Sequence, residues 1–224
     1  MDGLVHHQVI DSFVRRGYPP TVDEIAANLS IPRERAVEAL QRLHEGHGVL
    51  LHPGSFDIWL AHPFSASPSA VWVAENESRG WWAPCMWCAF GIAVLAAPNA
   101  TIHVRLGGET GPADIRLRDG AVVSDHVVHF ALPPRDAWTN VIHFCSTVLP
   151  FRSEEDVTGW CTRHRIAQGA VISAESTLEL ARAWYGRHLD RDWRKWTLEQ
   201  ARTIFEGAGL TSEFFRIPVT KGTF

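Results

Sequence analysis

The sequence predicts an α+β protein, with an N-terminal helical module followed by a core of antiparallel strands flanked by helices. Two observations lead to this prediction. Apolar residues recur at helical spacing in the first part of the chain, and short strand-like runs separated by Gly and Asp follow later. The chain has 224 residues, of which 46% are hydrophobic and 21% are charged. This composition is typical of a globular protein that buries a core.

The N-terminal elements follow the order helix, helix, turn, helix, hairpin. The segment LVHHQVIDSFVRRG has apolar residues at helical spacing, and TVDEIAANLS begins with a capping box that pairs Thr21 with Glu24. PRERAVEALQRLHEG has Pro32 in its first turn and ends near Gly46. GVLLHPGSFDIWLA is typical of a hairpin. Together these elements predict a winged-helix-like module.

We expect two domains. Residues 1–75 would form the winged-helix-like domain and a linker, because AHPFSASPSAVWVAENESRG is rich in Pro, Ser and Ala. Residues 76–224 would form the core. In the core we expect TIHVRLG, ADIRLRDG and AVVSDHVVHFAL to be strands of an antiparallel meander, and VIHFCSTVLPFRS to be another buried strand.

Helices are expected to alternate with the last strands of the core. SEEDVTGWCTRH predicts a short helix capped by Ser153. AVISAESTLELARAWYGRHL predicts a short strand and then a helix from about Ala174. The last helix, TLEQARTIFEGAG, has a capping box of Thr197 with Gln200 and a glycine stop at its end.

Charge and hydropathy argue against nucleic-acid and membrane partners. The net charge is −4, and acidic residues outnumber basic ones in the N-terminal module, whereas DNA binding needs a basic face. CAFGIAVLAAP is about half the length needed to span a bilayer. The start of the chain does not have the pattern of a signal peptide, so we expect a cytoplasmic protein. The sequence does not indicate the oligomeric state.

Two of the four cysteines, Cys85 and Cys88, lie in WWAPCMWCAFGIAVL, at or just before a predicted helix start. A thiolate near a helix N-terminus has a lowered pKa, which suits a nucleophile or a soft-metal ligand. A zinc ribbon would need a second CxxC, but Cys145 and Cys161 are not paired in this way. The motif alone therefore leaves a disulfide, a metal site, a redox pair and a catalytic site open.

From about residue 20 to 217 the chain resembles the alkylmercury lyases, also called organomercurial lyases. The resemblance rests on the order of parts up to HPFSASPSAVWV, on WWAPCMWCAFGIAVL, and on the stretch from VIHFCSTVLPFRS to the helix of AVISAESTLELARAWYGRHL. The family pattern in the second stretch is an aromatic residue, two residues, Cys, two residues and Asp, followed by an apolar helix. The third stretch resembles the family's Phe-Cys strand and final core helix.

The resemblance implies roles for three thiols. Cys85 falls on the catalytic cysteine, Cys145 on the second catalytic cysteine, and Cys88 on the position of the catalytic aspartate. Cys161 matches no functional position, and we expect a buried helix residue there. The implied activity is protonolytic cleavage of the carbon–mercury bond of a small organomercurial, with no cofactor required. Mercury is soft and prefers sulfur, and the same thiols could bind Hg(II), Cu or Zn.

The thiol at position 88 keeps several hypotheses open. Cys88 could donate a proton as a neutral acid, or it could become a third thiolate and hold the metal too tightly for turnover. The protein would then be a lyase, a homologue that binds a soft metal without turnover, or a repurposed cysteine-dependent enzyme acting on an organic substrate. A metal-sensing regulator is disfavoured by the acidic N-terminal module.

Other side chains are candidates for supporting roles. If VIHFC is a strand, His143 and Cys145 share a face, so His143 could assist Cys145, although a core or surface histidine is the more ordinary interpretation of both His143 and His129. Candidate walls of an apolar pocket are Trp81, Trp82, Trp87 and Phe144. Carboxylates that the fold could bring to the thiols are Glu75, Glu77, Asp125 and Asp136.

Overall fold

The computed structural model describes residues 1–136 and 140–217, and within them the protein is a mixture of helices and antiparallel strands. The predicted α+β class is confirmed. The helices are α1 (Asp2–Arg16), α2 (Val22–Leu29), α3 (Arg33–Glu45), α4 (Met86–Leu95), α5 (Val141–Ser146), α6 (Glu154–His164), α7 (Ala174–Tyr185) and α8 (Leu198–Gly207).

Two antiparallel sheets carry the strands of the described residues. The larger sheet has the spatial order β1-β2-β3-β5-β4-β6-β7-β8, and the smaller has the order β10-β9-β11. The strands of the larger sheet are β1 (Leu50–Leu51), β2 (Ile58–Ala61), β3 (Phe64–Ser65), β4 (Trp72–Asn76), β5 (Arg79–Trp82), β6 (Ala100–Arg105), β7 (Pro112–Arg118) and β8 (Ala121–Val122). Those of the smaller sheet are β9 (Val127–Phe130), β10 (Val148–Phe151) and β11 (Ala170–Ser173).

The three N-terminal helices form where the sequence predicts them. The capping box at the start of α2 is present, because Thr21 accepts from the backbone of Glu24 and Glu24 accepts in return. The predicted hairpin after α3 is also present as β1 and β2. This hairpin continues through β3 into the larger sheet. The winged-helix description of this module stays a prediction.

Part of the segment that we expected to be a linker forms strands of the larger sheet. It contributes strands β3 and β4, and β4 pairs with both β5 and β6 in the middle of the larger sheet. Its alternating residues explain this, since Val73 is buried between the half-buried Trp72 and Ala74. The predicted boundary at residue 75 falls inside β4. The division into two domains stays a prediction.

The segment AVVSDHVVHFAL is not one strand, as expected, but two strands in different sheets. Residues 121–122 pair with β7 as β8, and residues 127–130 form the central strand β9 of the smaller sheet. The polar bend Ser124-Asp125-His126 between them ends the first pairing, and Ser124 Oγ accepts from the backbone N–H of Arg116. The predicted meander therefore ends at β8.

The expected strand VIHFCSTVLPFRS is also wrong in its first half, which forms helix α5. The side chain of Asn140 caps this helix by accepting from the backbone N–H of His143 at 3.0 Å. Phe144 and Cys145 are buried, whereas His143 is exposed. His143 and Cys145 therefore do not share a face. The second half forms strand β10, as predicted.

The remaining helices begin and end close to their predicted positions. Ser153 caps α6, and Thr197 and Gln200 form the capping box of α8. Helix α7 begins at Ala174 directly after β11. No helix in residues 1–136 and 140–217 is both long enough and apolar enough to cross a lipid bilayer.

Helix α4 is the central helix of the core. Met86 to Ala93 are all buried, so the helix is enclosed on every side. It lies against α7 at Gly91, where a Cβ atom would overlap the ring of Tyr185. The close approach brings Tyr185 to the amino-terminal half of α4 and positions the side chains described below.

We predict that Gly91→Ala destabilises the fold by about 1–3 kcal/mol, because the added methyl group must displace the buried Tyr185 ring. The measurement is the free energy of unfolding in urea. Gly207→Ala is the matched control, since a Cβ at this helical position meets nothing within 4 Å. Equal stability of Gly91→Ala and the wild type would contradict this packing.

Candidate active site

The N-terminus of α4 holds the first thiol. Cys85 is the N-cap residue, and its Sγ accepts a hydrogen bond from the backbone N–H of Cys88 at 3.5 Å. A sulfur in this position faces the free N–H groups and the positive end of the helix dipole. The local structure therefore favours a thiolate at Cys85.

Three thiols converge at this helix end. The Sγ atoms of Cys85 and Cys88 are 3.4 Å apart, and Cys145 reaches them from α5. The Cys145 Sγ also lies 3.6 Å from Nε2 of His62. One donor atom each from His62, Cys88 and Cys145 lie within 4.8 Å of one another. All four cysteines are free, and these three are buried.

The three thiols differ in their ionisation. Burial raises the pKa of Cys85, but hydrogen bonds from Cys145 and Cys88 and the nearby His62 together bring that pKa well below its ordinary value. Burial raises the pKa of Cys88, and the hydrogen bond with Cys145 opposes this shift. The hydrogen bond with Cys85 and the charge of Cys85 raise it again, so the pKa of Cys88 lies well above its ordinary value. The pKa of Cys145 is raised by its hydrogen bonds to Cys85 and Cys88 and by its burial. The site thus holds one thiolate, at Cys85, beside two protonated thiols.

Tyr185 and two histidines surround the thiols. The Tyr185 hydroxyl lies 3.4 Å from Cys88 Sγ. Burial, and to a lesser extent the charge of the thiols, raises the pKa of Tyr185, so the phenol keeps its proton. His188 Nδ1 lies 3.1 Å from the carbonyl oxygen of His62, and since a carbonyl only accepts, this nitrogen carries the proton. Burial lowers the pKa of His188 to about 3, so that ring is neutral. Burial also lowers the pKa of His62, and the charge of Cys85 opposes this shift.

A small cavity of about 90 Å³ opens onto Cys145. Its walls are mostly aromatic and apolar, with histidines and one lysine, and no carboxylate among the described residues lines it. The lining residues are His47, Gly48, His62, Trp87, Val141, Phe144, Cys145, Trp184, Tyr185, His188, Trp193, Lys195 and Trp196. Burial lowers the pKa of Lys195 to about 8. The cavity can take a small apolar group next to the thiols.

The family model "MerB: Alkylmercury lyase" matches residues 64–186, which is more than half of the chain. The chain belongs to the alkylmercury lyase family. The matched region contains Cys85, Cys88, Cys145 and Tyr185 but not His62 or His188. No curated protein matches the chain in sequence.

The alkylmercury lyase fold is also found by comparison with solved structures. The chain is similar to the protein in "Crystal structure of the mercury-bound form of MerB2", with a TM-score of 0.64 and 18% sequence identity. The similarity covers 84% of this chain and 90% of that one. At this identity the comparison shows the shared fold.

Two of the four expected aromatic walls line the cavity of this alkylmercury lyase family member. Trp87 and Phe144 lie against it, and their ring centroids are 6.4 Å apart. Trp81 is buried elsewhere, and its Nε1 donates to the carbonyl oxygen of Phe13 in α1. Trp82 packs edge-on against Trp72 in the larger sheet. Trp81 and Trp82 alternate in direction along β5, and the sequence alone does not show that neither direction leads to the thiols.

None of the expected carboxylates lines the cavity. Glu75 forms an ion pair with Arg79 at 3.2 Å, and Glu77 and Asp125 are exposed. Asp136 is exposed in a short 3₁₀ helix. Within the described residues, the cavity wall therefore contains no carboxylate that could serve in place of the aspartate that the family resemblance implies at position 88.

The remaining candidates lie outside the site. His143 is exposed. His129 is buried in the smaller sheet, where its Nε2 accepts from the backbone N–H of Gly169 at 3.1 Å. Cys161 is a buried residue of α6, as expected, and packs with Phe151, Val157 and Trp160 in a separate cluster.

Sequence reasoning missed His62, Tyr185 and His188. His62 lies between β2 and β3, more than twenty residues before Cys85, and no spacing connects the two. Tyr185 and His188 lie at the end of α7 and just beyond it, in a stretch that we interpreted only as a core helix. The one available signal was the three aromatic or histidine side chains in AWYGRHL, close together at a helix end.

We predict that the reduced protein carries one thiolate at neutral pH, at Cys85. The ultraviolet thiolate absorbance should persist as the pH falls below the ordinary thiol pKa and should disappear in Cys85→Ser. Cys161→Ser is the control, because burial raises the pKa of Cys161 and its removal should leave the signal unchanged. A wild-type protein without thiolate absorbance at neutral pH would contradict the assigned ionisation.

Proposed function

We propose that this protein cleaves carbon–mercury bonds by protonolysis, with Cys85 and Cys145 as the pair of mercury ligands and Cys88 in the position of the family's aspartate. The observation that carries the proposal is the convergence of these three thiols in an alkylmercury lyase family member, with Cys145 lining a small apolar cavity. The substrate class is a small organomercurial, and the mercury is substrate, so no cofactor is required.

The ionisation of the thiols supports an order of steps. The Cys85 thiolate attacks the mercury of R–Hg–X and expels X⁻. Cys145 then binds the mercury and passes its proton to Cys88 as Cys88 gives its own proton to the carbon. Two thiolates raise the electron density on the metal and weaken the Hg–C bond. A proton reaches the carbon, R–H leaves, and Hg(II) remains on the two sulfurs.

Cys88 is suited to pass the proton because it is protonated before the reaction. Its thiol gives a proton to the leaving carbon and takes up the proton released by Cys145, so the net source of the proton is Cys145. The hydroxyl of Tyr185, 3.4 Å from Cys88 Sγ, can stabilise negative charge that develops on Cys88 during this exchange by donating to it. The apolar walls of the cavity exclude water and strengthen these interactions.

A second candidate function is binding of a soft metal without turnover. The third thiol favours it, because Cys88 can also coordinate the metal where a carboxylate would be a weaker soft-metal ligand. The two functions differ in one product, the free hydrocarbon R–H. A repurposed cysteine-dependent enzyme has no specific support in the geometry.

The test is single-turnover cleavage of methylmercury by the freshly reduced protein, followed as methane release. We expect methane from the wild type and a loss of at least about a hundredfold in rate for Cys85→Ser and Cys145→Ser, because each removes one mercury ligand. Cys161→Ser should cleave at the wild-type rate. Methane release by both site variants at the rate of the control would refute the assignment of the thiol pair.

We further predict that Cys88→Asp increases the rate of methane release by about tenfold or more, because a carboxylate exchanges protons faster at neutral pH than a thiol with a raised pKa. Folding of the variant is checked by its Hg(II) stoichiometry. An unchanged or lower rate in a folded Cys88→Asp protein would show that Cys88 does not limit proton transfer.

A further inference from the structure

One imidazole joins the thiol cluster without a role in the proposed cleavage. His62 Nε2 lies 3.6 Å from Cys145 Sγ, and the donor atoms of His62, Cys88 and Cys145 lie within 4.8 Å of one another. His62 lines the cavity and comes from the loop between β2 and β3, outside the region matched by the family model. This donor set combines two sulfurs with one nitrogen.

We propose that His62, Cys88 and Cys145 form a zinc-binding site that overlaps the mercury site, so that Zn(II) competes reversibly with the organomercurial. The overlap with mercury rests on the proposed function, whereas zinc binding does not. Cys85 lies next to this set, 3.4 Å from Cys88, and can fill a fourth position.

The distances fit a tetrahedral ion. With Zn–S bonds of about 2.3 Å and a Zn–N bond of about 2.0 Å, the N···S edge of a tetrahedron is about 3.5 Å and the S···S edge about 3.8 Å. The His62–Cys145 separation of 3.6 Å matches the first value. The 4.8 Å limit on the set shows that the Cys88–Cys145 separation needs to shorten by about 1.0 Å at most and the His62–Cys88 separation by about 1.3 Å at most.

The donor types select among metals. Zn(II) binding would release the protons of Cys88 and Cys145 to water. The resulting two thiolates and a neutral imidazole suit Zn(II), and the absence of a carboxylate from the cavity wall formed by the described residues disfavours Mg(II), Ca(II) and Mn(II). Sets of two cysteines and one histidine leave a fourth position that another ligand can enter. In this site the fourth ligand would be Cys85 or a small molecule in the cavity.

Neighbouring groups hold the donors in place, as outer partners do in metal sites. The Nδ1–H of His188 donates to the carbonyl oxygen of His62 at 3.1 Å and fixes this loop. The Tyr185 hydroxyl lies 3.4 Å from Cys88 Sγ. Both partners are buried, with exposures of 5% for His188 and 2% for Tyr185. The donors would therefore need little reorganisation to bind an ion.

Shared ligands give the site a consequence for cleavage. Cys145 is needed by both metals, and Cys88 is needed both by zinc and by the proton transfer. Zinc bound to the free protein would also exclude other electrophiles from these thiols. Organomercurials would have to displace zinc, so added Zn(II) should slow cleavage and a chelator should restore it.

The test uses Co(II) as a spectroscopic substitute for zinc in the freshly reduced full-length protein. We expect one Co(II) per chain, with intense thiolate-to-cobalt charge-transfer bands, tetrahedral ligand-field bands, and loss of both on addition of Zn(II). His62→Gln should weaken Co(II) binding about tenfold or more. Cys88→Ser should reduce the charge-transfer intensity, and Cys161→Ser should leave the spectrum unchanged.

The outcomes separate the two proposals. Absence of the charge-transfer bands in the wild type, or equal Co(II) affinity of wild type and His62→Gln, overturns the zinc site. His62→Gln should still bind one Hg(II) through Cys85 and Cys145, which shows that the variant is folded. Zinc binding without methane release would overturn the proposed lyase activity and leave the zinc site in place, and methane release without Co(II) binding would do the reverse.

Discussion

The hydrogen bond from the backbone of Cys88 to the sulfur of Cys85 fixes both the place and the charge of the site. It makes Cys85 the cap of the buried helix α4, so the thiolate replaces the polar side chain that normally satisfies a helix N-terminus. Because the surroundings are apolar, that charge depends on its hydrogen bonds with Cys145 and Cys88 and on the nearby His62. The packing of Gly91 against Tyr185 holds the helix end beside α7.

A thiol at position 88 gives this cluster a different charge balance from the carboxylate that the family resemblance implies there. An ionised carboxylate would add a second negative charge beside Cys85, whereas the Cys88 thiol stays neutral and donates to it. The thiol also adds a soft ligand next to His62. At neutral pH a thiol with a raised pKa gives up its proton less readily than a carboxylic acid, but it is the better ligand for borderline metals. In the proposed function, turnover and metal retention are therefore alternatives between which this one side chain decides.

Much of the fold and the thiol set could be predicted from the sequence, for identifiable reasons. Capping boxes at Thr21 and Thr197 and the apolar run of α4 are local signals, and the structure confirms them. Helix α5 was missed because VIHFC alternates over so few residues that the cap at Asn140 decides its conformation. His62 could not be predicted, since its approach to Cys145 depends on how the loop between β2 and β3 packs in the fold.

The most direct test of the central claim is X-ray absorption at mercury after the freshly reduced protein has reacted with one equivalent of methylmercury. If the wild-type protein cleaves the substrate, the mercury will have only sulfur neighbours and the Hg–C scattering of the substrate will be gone. This result would show in one measurement that the thiols capture the metal and that the carbon has left. Mercury that is bound to sulfur but still carries its carbon would contradict cleavage. It would show that the protein binds organomercurials without cleaving them.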